Sequence, residues 1–148
     1  MTPDALAALH AQSFPDYPRP WSASEFGDLL AAPGVFLLDQ NAGFLMGRVV
    51  LDEAELLTVA VAPLHRRSGI GRSLMAAFAK RAAHRGATRA FLEVADTNTA
   101  AIGLYQRTGW ARAGFRRGYY APGVGAVVMT LSLEQTAATF PDAGDTRL

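Results

Sequence analysis

The chain contains no cysteine, and this one absence excludes disulfides, thiolate metal sites and cysteine nucleophiles. Lysine is almost missing as well: Lys80 is the only one, and it follows Ala79 rather than a glycine. A Walker phosphate loop ends in Gly-Lys-Ser/Thr so that its lysine reaches the terminal phosphates, and no such ending occurs. Neither sign of charge is in excess, with fourteen basic side chains against thirteen acidic ones for a net +1. The broad basic footprint of a nucleic-acid binder is therefore lacking. The three histidines, His10, His65 and His84, are too scattered for metal-ligand spacing, so no metal is expected. No apolar run approaches the roughly 20 residues of a bilayer span. Met1-Thr2-Pro3-Asp4 carries neither a basic n-region nor a signal-peptide core. These features predict a soluble, cytoplasmic protein with no membrane partner.

What is present suits one enzyme-sized domain: 148 residues, half of them hydrophobic. The domain is expected over residues 1–134, followed by a polar, flexible tail over 135–148 that is poor in large apolar residues. Thr2 and Pro3 have the N-cap and N1 chemistry of a helix running to about Gln12. Ser22-Ala23-Ser24-Glu25 is a capping box for a second helix, which Pro33-Gly34 ends. Val35 to Leu38, Gly43 to Leu51 and Leu56 to Ala62 read as three strands of an antiparallel meander. Ile70, Leu74, Phe78 and Ala82 then recur every four residues, the stripe of a helix stopped by Gly86. Thr88 to Ala95 is a strand, and Asn98 to Thr108 a helix stopped by Gly109. Trp110 to Phe115 and Gly125 to Leu133 are two further strands, separated by a loop that holds Tyr119-Tyr120 and the Pro122-Gly123 turn.

One segment joins strand chemistry to helix chemistry. Leu56-Leu57-Thr58-Val59-Ala60-Val61-Ala62 is a buried-strand pattern that stops at Pro63, which has no N–H for a ladder. Arg66-Arg67-Ser68-Gly69-Ile70-Gly71 follows and opens the helix. Small residues in such a turn let several N–H groups converge at the positive end of a helix, a natural cradle for phosphate. A dinucleotide fingerprint would require a third glycine at position 74, which is Leu74.

Three other residues could carry chemistry. Glu93 lies in Ala90-Phe91-Leu92-Glu93-Val94-Ala95, whose pattern asks for burial on both faces. A buried carboxylate must be paired, hydrogen-bonded or neutralised, so it is a functional group, a strand end reaching solvent, or the partner of an arginine. Asn98 can cap the helix that follows it. Tyr105 lies on the same helical side as Ile102 and is either core or functional.

In combination these segments resemble the GNAT superfamily of N-acetyltransferases over most of the chain. The pieces are the strand ending in Ala60-Val61, the Arg66 to Gly71 loop, Leu92-Glu93-Val94, and Asn98 to Trp110 with Ala101, Leu104, Tyr105 and Gly109 at the family's spacing. Pro20-Trp21-Ser22, the Leu92 to Val94 strand and Arg116-Arg117-x-Tyr119-Tyr120 resemble, more narrowly, the RimI-type enzymes that acetylate the N-terminal alanine of a ribosomal protein. The acidic pair usual before the last strand of that type is replaced by the uncharged Ala121-Pro122-Gly123-Val124-Gly125.

The resemblance implies an α/β fold, with a twisted, mostly antiparallel sheet flanked by helices, and acetyl-CoA as cosubstrate. It implies that the backbone of Val59, Ala60 and Val61 pairs with the pantetheine arm. Arg66, Arg67, Ser68, Gly69, Ile70, Gly71 and Arg72 would surround the pyrophosphate, and Asn98 would touch the arm. Glu93 corresponds to the general base and Tyr105 to the acid that protonates the leaving thiolate. Trp21, Tyr119 and Tyr120 are candidates for the acceptor groove, although the two tyrosines could equally close the sheet.

Elementary chemistry supports these roles. Burial in an apolar strand makes a carboxylate a stronger proton acceptor. A tyrosine, ordinarily near 10, can return a proton to sulfur. A strand N–H from Val59 to Val61 can stabilise the tetrahedral oxyanion. The acceptor is expected to be a protein N-terminus. The alternatives are a small free amine, such as a polyamine, amino acid or antibiotic, and acyl-CoA binding without catalysis.

Overall fold

The computed structural model describes residues 1–13, 19–40 and 42–134, so the tail expected over 135–148 lies outside the described residues. Helix α1 (Pro3–Ser13) starts where the Thr2 hydroxyl accepts the Ala5 N–H at 3.1 Å. Helix α2 (Ala23–Ala31) carries the complete capping box: the Ser22 hydroxyl accepts from Glu25 N, and the Glu25 carboxylate accepts from Ser22 N. Strands β1 (Val35–Gln40), β2 (Gly43–Val50) and β3 (Glu53–Val61) form the expected meander. β3 begins earlier than its apolar run because Glu53 and Glu55 face outward and pair with Arg89 and Arg48. A short 3-10 turn (Pro63–His65) leads to α3 (Ile70–His84), then β4 (Arg89–Ala95), α4 (Thr99–Arg107), β5 (Ala111–Ala121) and β6 (Val124–Ser132).

The strands form one sheet in the order β1-β2-β3-β4-β6-β5, antiparallel except between β3 and β4. Leu6 and Leu9 of α1 and Phe26 of α2 pack with Phe44, Met46 and Ala60 on one face, over β2 and β3. On the other face, Leu74, Met75 and Phe78 of α3 and Tyr105 of α4 pack with Leu45, Val59, Leu92, Val94, Val127 and Met129. Alternation along β4 therefore turns Leu92 and Val94 into this second core and Glu93 to the opposite side.

Of the sheet's departures from regularity, two matter for the site. β3 and β4 are paired only at Glu53↔Arg89, Ala54↔Ala90 and Glu55↔Phe91, and beyond that point they separate. β3 also bulges: Met46 faces Thr58 and Gly47 faces Leu56, which leaves Leu57 unopposed. A bulge bends its strand and strengthens the local twist, and here it coincides with the parting of the two strands.

The second irregularity corrects an expectation. Tyr119 and Tyr120 are not in a loop, because β5 continues through both of them to Ala121. β5 advances five residues from Arg116 to Ala121 while β6 advances two from Ala126 to Val124. Gly118, at φ +61°, absorbs the excess in a conformation that suits glycine.

Candidate active site

Where β3 parts from β4, a groove of about 940 Å3 lies between the β3 edge, the start of α3 and α4; no described residue of β4 lines it, Glu93 included. Its apolar wall is the edge of β3 at Val59, Ala60 and Val61, whose outward backbone groups have no ladder partner on the β4 side. At its other side α4 contributes Ala101, Leu104 and Tyr105, with Asn98 at the helix start. The Asn98 side-chain oxygen accepts from Ala101 N at 3.1 Å, so it caps α4 and lines the groove together.

At the mouth, the chain after Pro63 turns tightly into α3. Arg67 at φ +65° and Gly69 at φ +87° both adopt left-handed backbone, with Gly69 immediately before α3. The first N–H groups of a helix have no intrahelical partner, and the helix dipole adds positive potential there. Arg66 donates from Nε to the Val61 carbonyl at 3.3 Å, tying the loop to β3. The Ser68 hydroxyl donates to the His65 carbonyl, which braces the turn from within. His65, Arg66, Arg67, Arg72 and Arg107 line the mouth, and among the described residues no carboxylate does. An elongated ligand that is apolar or amide-like in the middle and polyanionic at one end fits this wall.

Of the residues expected at the cofactor, Val59, Ala60, Val61, Arg66, Arg67, Gly69, Gly71, Arg72 and Asn98 line this one groove. Ser68 and Ile70 do not line it; Ser68 braces the turn, and Ile70 packs on the larger core. Arg107 was not singled out by its residue type. It repeats the face of Ala100 and Leu104 at helical spacing, which is the signal that would have found it.

Tyr105 is 5% exposed and lines the inner end. Burial, reinforced by nearby Tyr120, pushes its hydroxyl well above the ordinary tyrosine value, so it is held protonated. Burial first, then the Glu93 charge and Tyr119, push Tyr120 up to about 12. Tyr120 thus feels both candidate catalytic groups.

Glu93 corrects one premise. Its side chain is 24% exposed rather than enclosed, and Arg116 Nε stands 2.9 Å from its Oε2. The pattern of strand β4 suggested two buried faces, but the face bearing Glu93 belongs to neither core cluster.

The acceptor candidates divide. Tyr120 is half-buried, and Tyr119 is 51% exposed, edge-on to Tyr120 at 5.1 Å. Trp21 is partly exposed and stacks on the His10 ring at 4.9 Å, against the cluster beneath α1 and α2.

Residues 4–110 match the Acetyltransferase (GNAT) family. The chain belongs to that family. It is 37% identical over 139 residues to the ribosomal protein bS18-alanine N-acetyltransferase of Escherichia coli strain K12, covering 89% of this chain and 93% of the relative. The crystal structure of the ribosomal-protein-S18-alanine N-acetyltransferase from Escherichia coli superposes with a TM-score of 0.78 at 30% identity, covering 99% and 92%. An aminoglycoside 6′-N-acetyltransferase solved with coenzyme A has the same fold at 18% identity, with a TM-score of 0.74 over 88% and 90% of the chains. Among the described residues, the mixed six-stranded sheet with its four α-helices is the GNAT architecture, and the chain is an N-acetyltransferase of RimI-like type.

Proposed function

We propose that this GNAT enzyme transfers the acetyl group of acetyl-CoA to the N-terminal α-amine of a protein, with an alanine-starting ribosomal protein as the favoured acceptor. The observation that carries the reading is the groove itself: an unpaired β3 edge for an amide-bearing arm, a cationic mouth for phosphates, and Tyr105 at the inner end. The likeness to bS18-alanine N-acetyltransferases over nearly the whole chain supports the acceptor.

The chemistry is direct transfer. An α-amine has a pKa of about 8 against about 10.4 for a lysine side chain, so it is the easier of the two to deprotonate at neutral pH. Glu93 takes that proton, directly or through one water, and the free amine attacks the thioester carbonyl. A strand N–H between Val59 and Val61 stabilises the oxyanion, Tyr105 gives its proton to the departing sulfur, and the remaining surplus proton of the attacking nitrogen passes through water to restore the Tyr105 hydroxyl. The new C–N bond replaces the C–S bond without a covalent enzyme intermediate. Asn98 holds the arm, the amides from Arg67 to Arg72 hold the pyrophosphate, and Tyr119 and Tyr120 border the acceptor. The protein works in the cytoplasm, where its acceptor is made, and needs no metal.

The test incubates the full chain with acetyl-CoA and peptides that differ in their first residue, beside free polyamines, amino acids and aminoglycosides, and reads acetyl gain by mass. Acetylation of the α-amine of an alanine-starting peptide is expected. Acetylation of small amines alone would move the acceptor. Tight coenzyme A binding without any transfer would make the protein a binder.

A further inference from the structure

A fully buried histidine joins helix α1 to strand β3 and to the segment that leads into α2. His10, on α1, is 0% exposed, and Thr58, on β3, is 5% exposed. His10 Nδ1 accepts the Trp21 backbone N–H at 3.1 Å, so the ring proton sits on Nε2 and is donated to Thr58 Oγ1, also at 3.1 Å. Trp21 stacks on the ring and Phe26 meets it edge-on at 5.4 Å, which leaves the imidazole one orientation.

Thr58 occupies a particular place on β3. It is the residue next to the unopposed Leu57 of the bulge. Leu57 packs in the α1/α2 cluster and Thr58 meets α1, so two successive side chains turn to one face, before Val59 turns to the other core. Counting on from the last paired residues, Glu55 and Phe91, Leu57 stands level with Glu93 across the widening gap. The backbone there has lost its β4 partner, so the ladder on that side no longer fixes its direction. Three residues further along α1, Ser13 donates to the Leu9 carbonyl at 3.3 Å and to the Val61 carbonyl at 3.4 Å, a second tie between the same helix and the same strand.

We propose that His10 is a positioning residue for acyl transfer: through Thr58 it fixes the bulged segment Leu57 to Val59, and so aims the β3 backbone at the reacting carbonyl beside Glu93. The proposal rests on the acetyl-transfer reading given above. Catalytic donors must be placed to within a fraction of an ångström, and an error of about 1 Å costs about a hundredfold in rate.

The test compares Thr58→Val, which keeps the shape and removes the acceptor oxygen, with Thr58→Ser, which restores it. At saturating substrates Thr58→Val is expected to lower kcat about tenfold while KM for acetyl-CoA stays within about twofold, and Thr58→Ser to return kcat to within about threefold of the parent. His10→Phe should lower kcat by the same factor, and the double variant by no more than either single change. Backbone hydrogen exchange of Leu57 to Val59 should accelerate at least about tenfold in Thr58→Val, with β1 unaffected. Unchanged kcat in Thr58→Val, even beside a lowered Tm, overturns the proposal, as does Thr58→Ser falling as far as Thr58→Val. If the parent protein acetylates no amine, the acetyl-transfer reading fails, and exchange decides the anchor: unchanged protection at Leu57 to Val59 overturns it too.

Discussion

Arg116 reaches across β6 to hold the Glu93 carboxylate, its Nε 2.9 Å from Oε2. The same guanidinium lies 5.4 Å from the centre of the Tyr119 ring, so one arginine on the edge strand touches both the candidate base and an aromatic proposed to border the acceptor. The arginine is mostly exposed, and exposed ion pairs add little to stability, typically less than about 1 kcal/mol.

Activity should therefore respond to this pair more than folding does. Glu93→Gln is expected to lower kcat/KM about a hundredfold or more at neutral pH while coenzyme A binding persists. Arg116→Gln is expected to cost about tenfold in kcat/KM with an unfolding free energy within about 1 kcal/mol of the parent. Steady-state kinetics beside urea unfolding would check both. Full activity in Glu93→Gln would remove it as the base.

Tyr105 offers a cleaner substitution. Its ring packs against Trp110 at a centroid distance of 6.3 Å, and phenylalanine keeps that packing while deleting the proton donor. Tyr105→Phe is expected to lower kcat about tenfold to a hundredfold with coenzyme A affinity unchanged by calorimetry. Because burial holds the hydroxyl far above the ordinary range, its loss of a proton cannot set a basic limb of the parent's pH profile below about pH 10. A basic limb that vanishes in Tyr105→Phe would contradict this assignment.

Much of this architecture was legible because its signals are local. The capping box at Ser22 and Glu25, the stop at Gly86 and the glycine turn before α3 depend on residues within a few positions of one another. The groove was legible for the same reason, since β3, the turn and α3 are consecutive. What escaped was set by tertiary contact. The partner of Glu93 comes from a strand two places away in the sheet, and alternation rather than composition decides that Glu93 faces away from the core. The stack of Trp21 on His10 joins residues eleven apart through tertiary packing, which no local motif announces. The continuation of β5 past Gly118 depends on pairing with β6, which the turn-forming residues around Tyr119 concealed.

The two glycines of the phosphate loop should behave differently. A Cβ on Gly69 would meet nothing within 4 Å, so the whole cost of alanine there lies in its left-handed φ of +87°, about 1–2 kcal/mol. That strain is relieved by turning the amides that open α3. Gly69→Ala is therefore expected to weaken coenzyme A binding about tenfold. At Gly71 an added Cβ would lie 3.4 Å from Leu104 Cδ2, an ordinary contact, with no left-handed backbone to maintain. Gly71→Ala should keep Tm, with affinity within about threefold of the parent. Calorimetric titration and thermal melts of both variants decide this. Equal losses would show that the Gly69 backbone is not what shapes the cradle.

His10 makes stability depend on pH in a defined direction. Burial lowers its pKa from the ordinary 6.5 to about 4, against a smaller opposing pull from Glu25. Glu25 itself is held near 2 by the Arg19 side chain and the Ser22 amide, so it stays charged throughout the interval that follows. Above about pH 6.5 the imidazole is neutral in both states, and its contribution to folding is fully present. As pH falls, the unfolded chain takes up the proton first, and the unfolding free energy declines by at most about 1.4 kcal/mol per pH unit. Near pH 4 the folded protein protonates as well, and the decline from this source ends. Urea unfolding of the parent and of His10→Phe at pH 7, 6 and 5 would isolate the contribution, because phenylalanine keeps the stack with Trp21 and has no proton to bind. The parent should lose more stability than the variant over those two units; identical slopes would mean that the buried ring is not the group responsible.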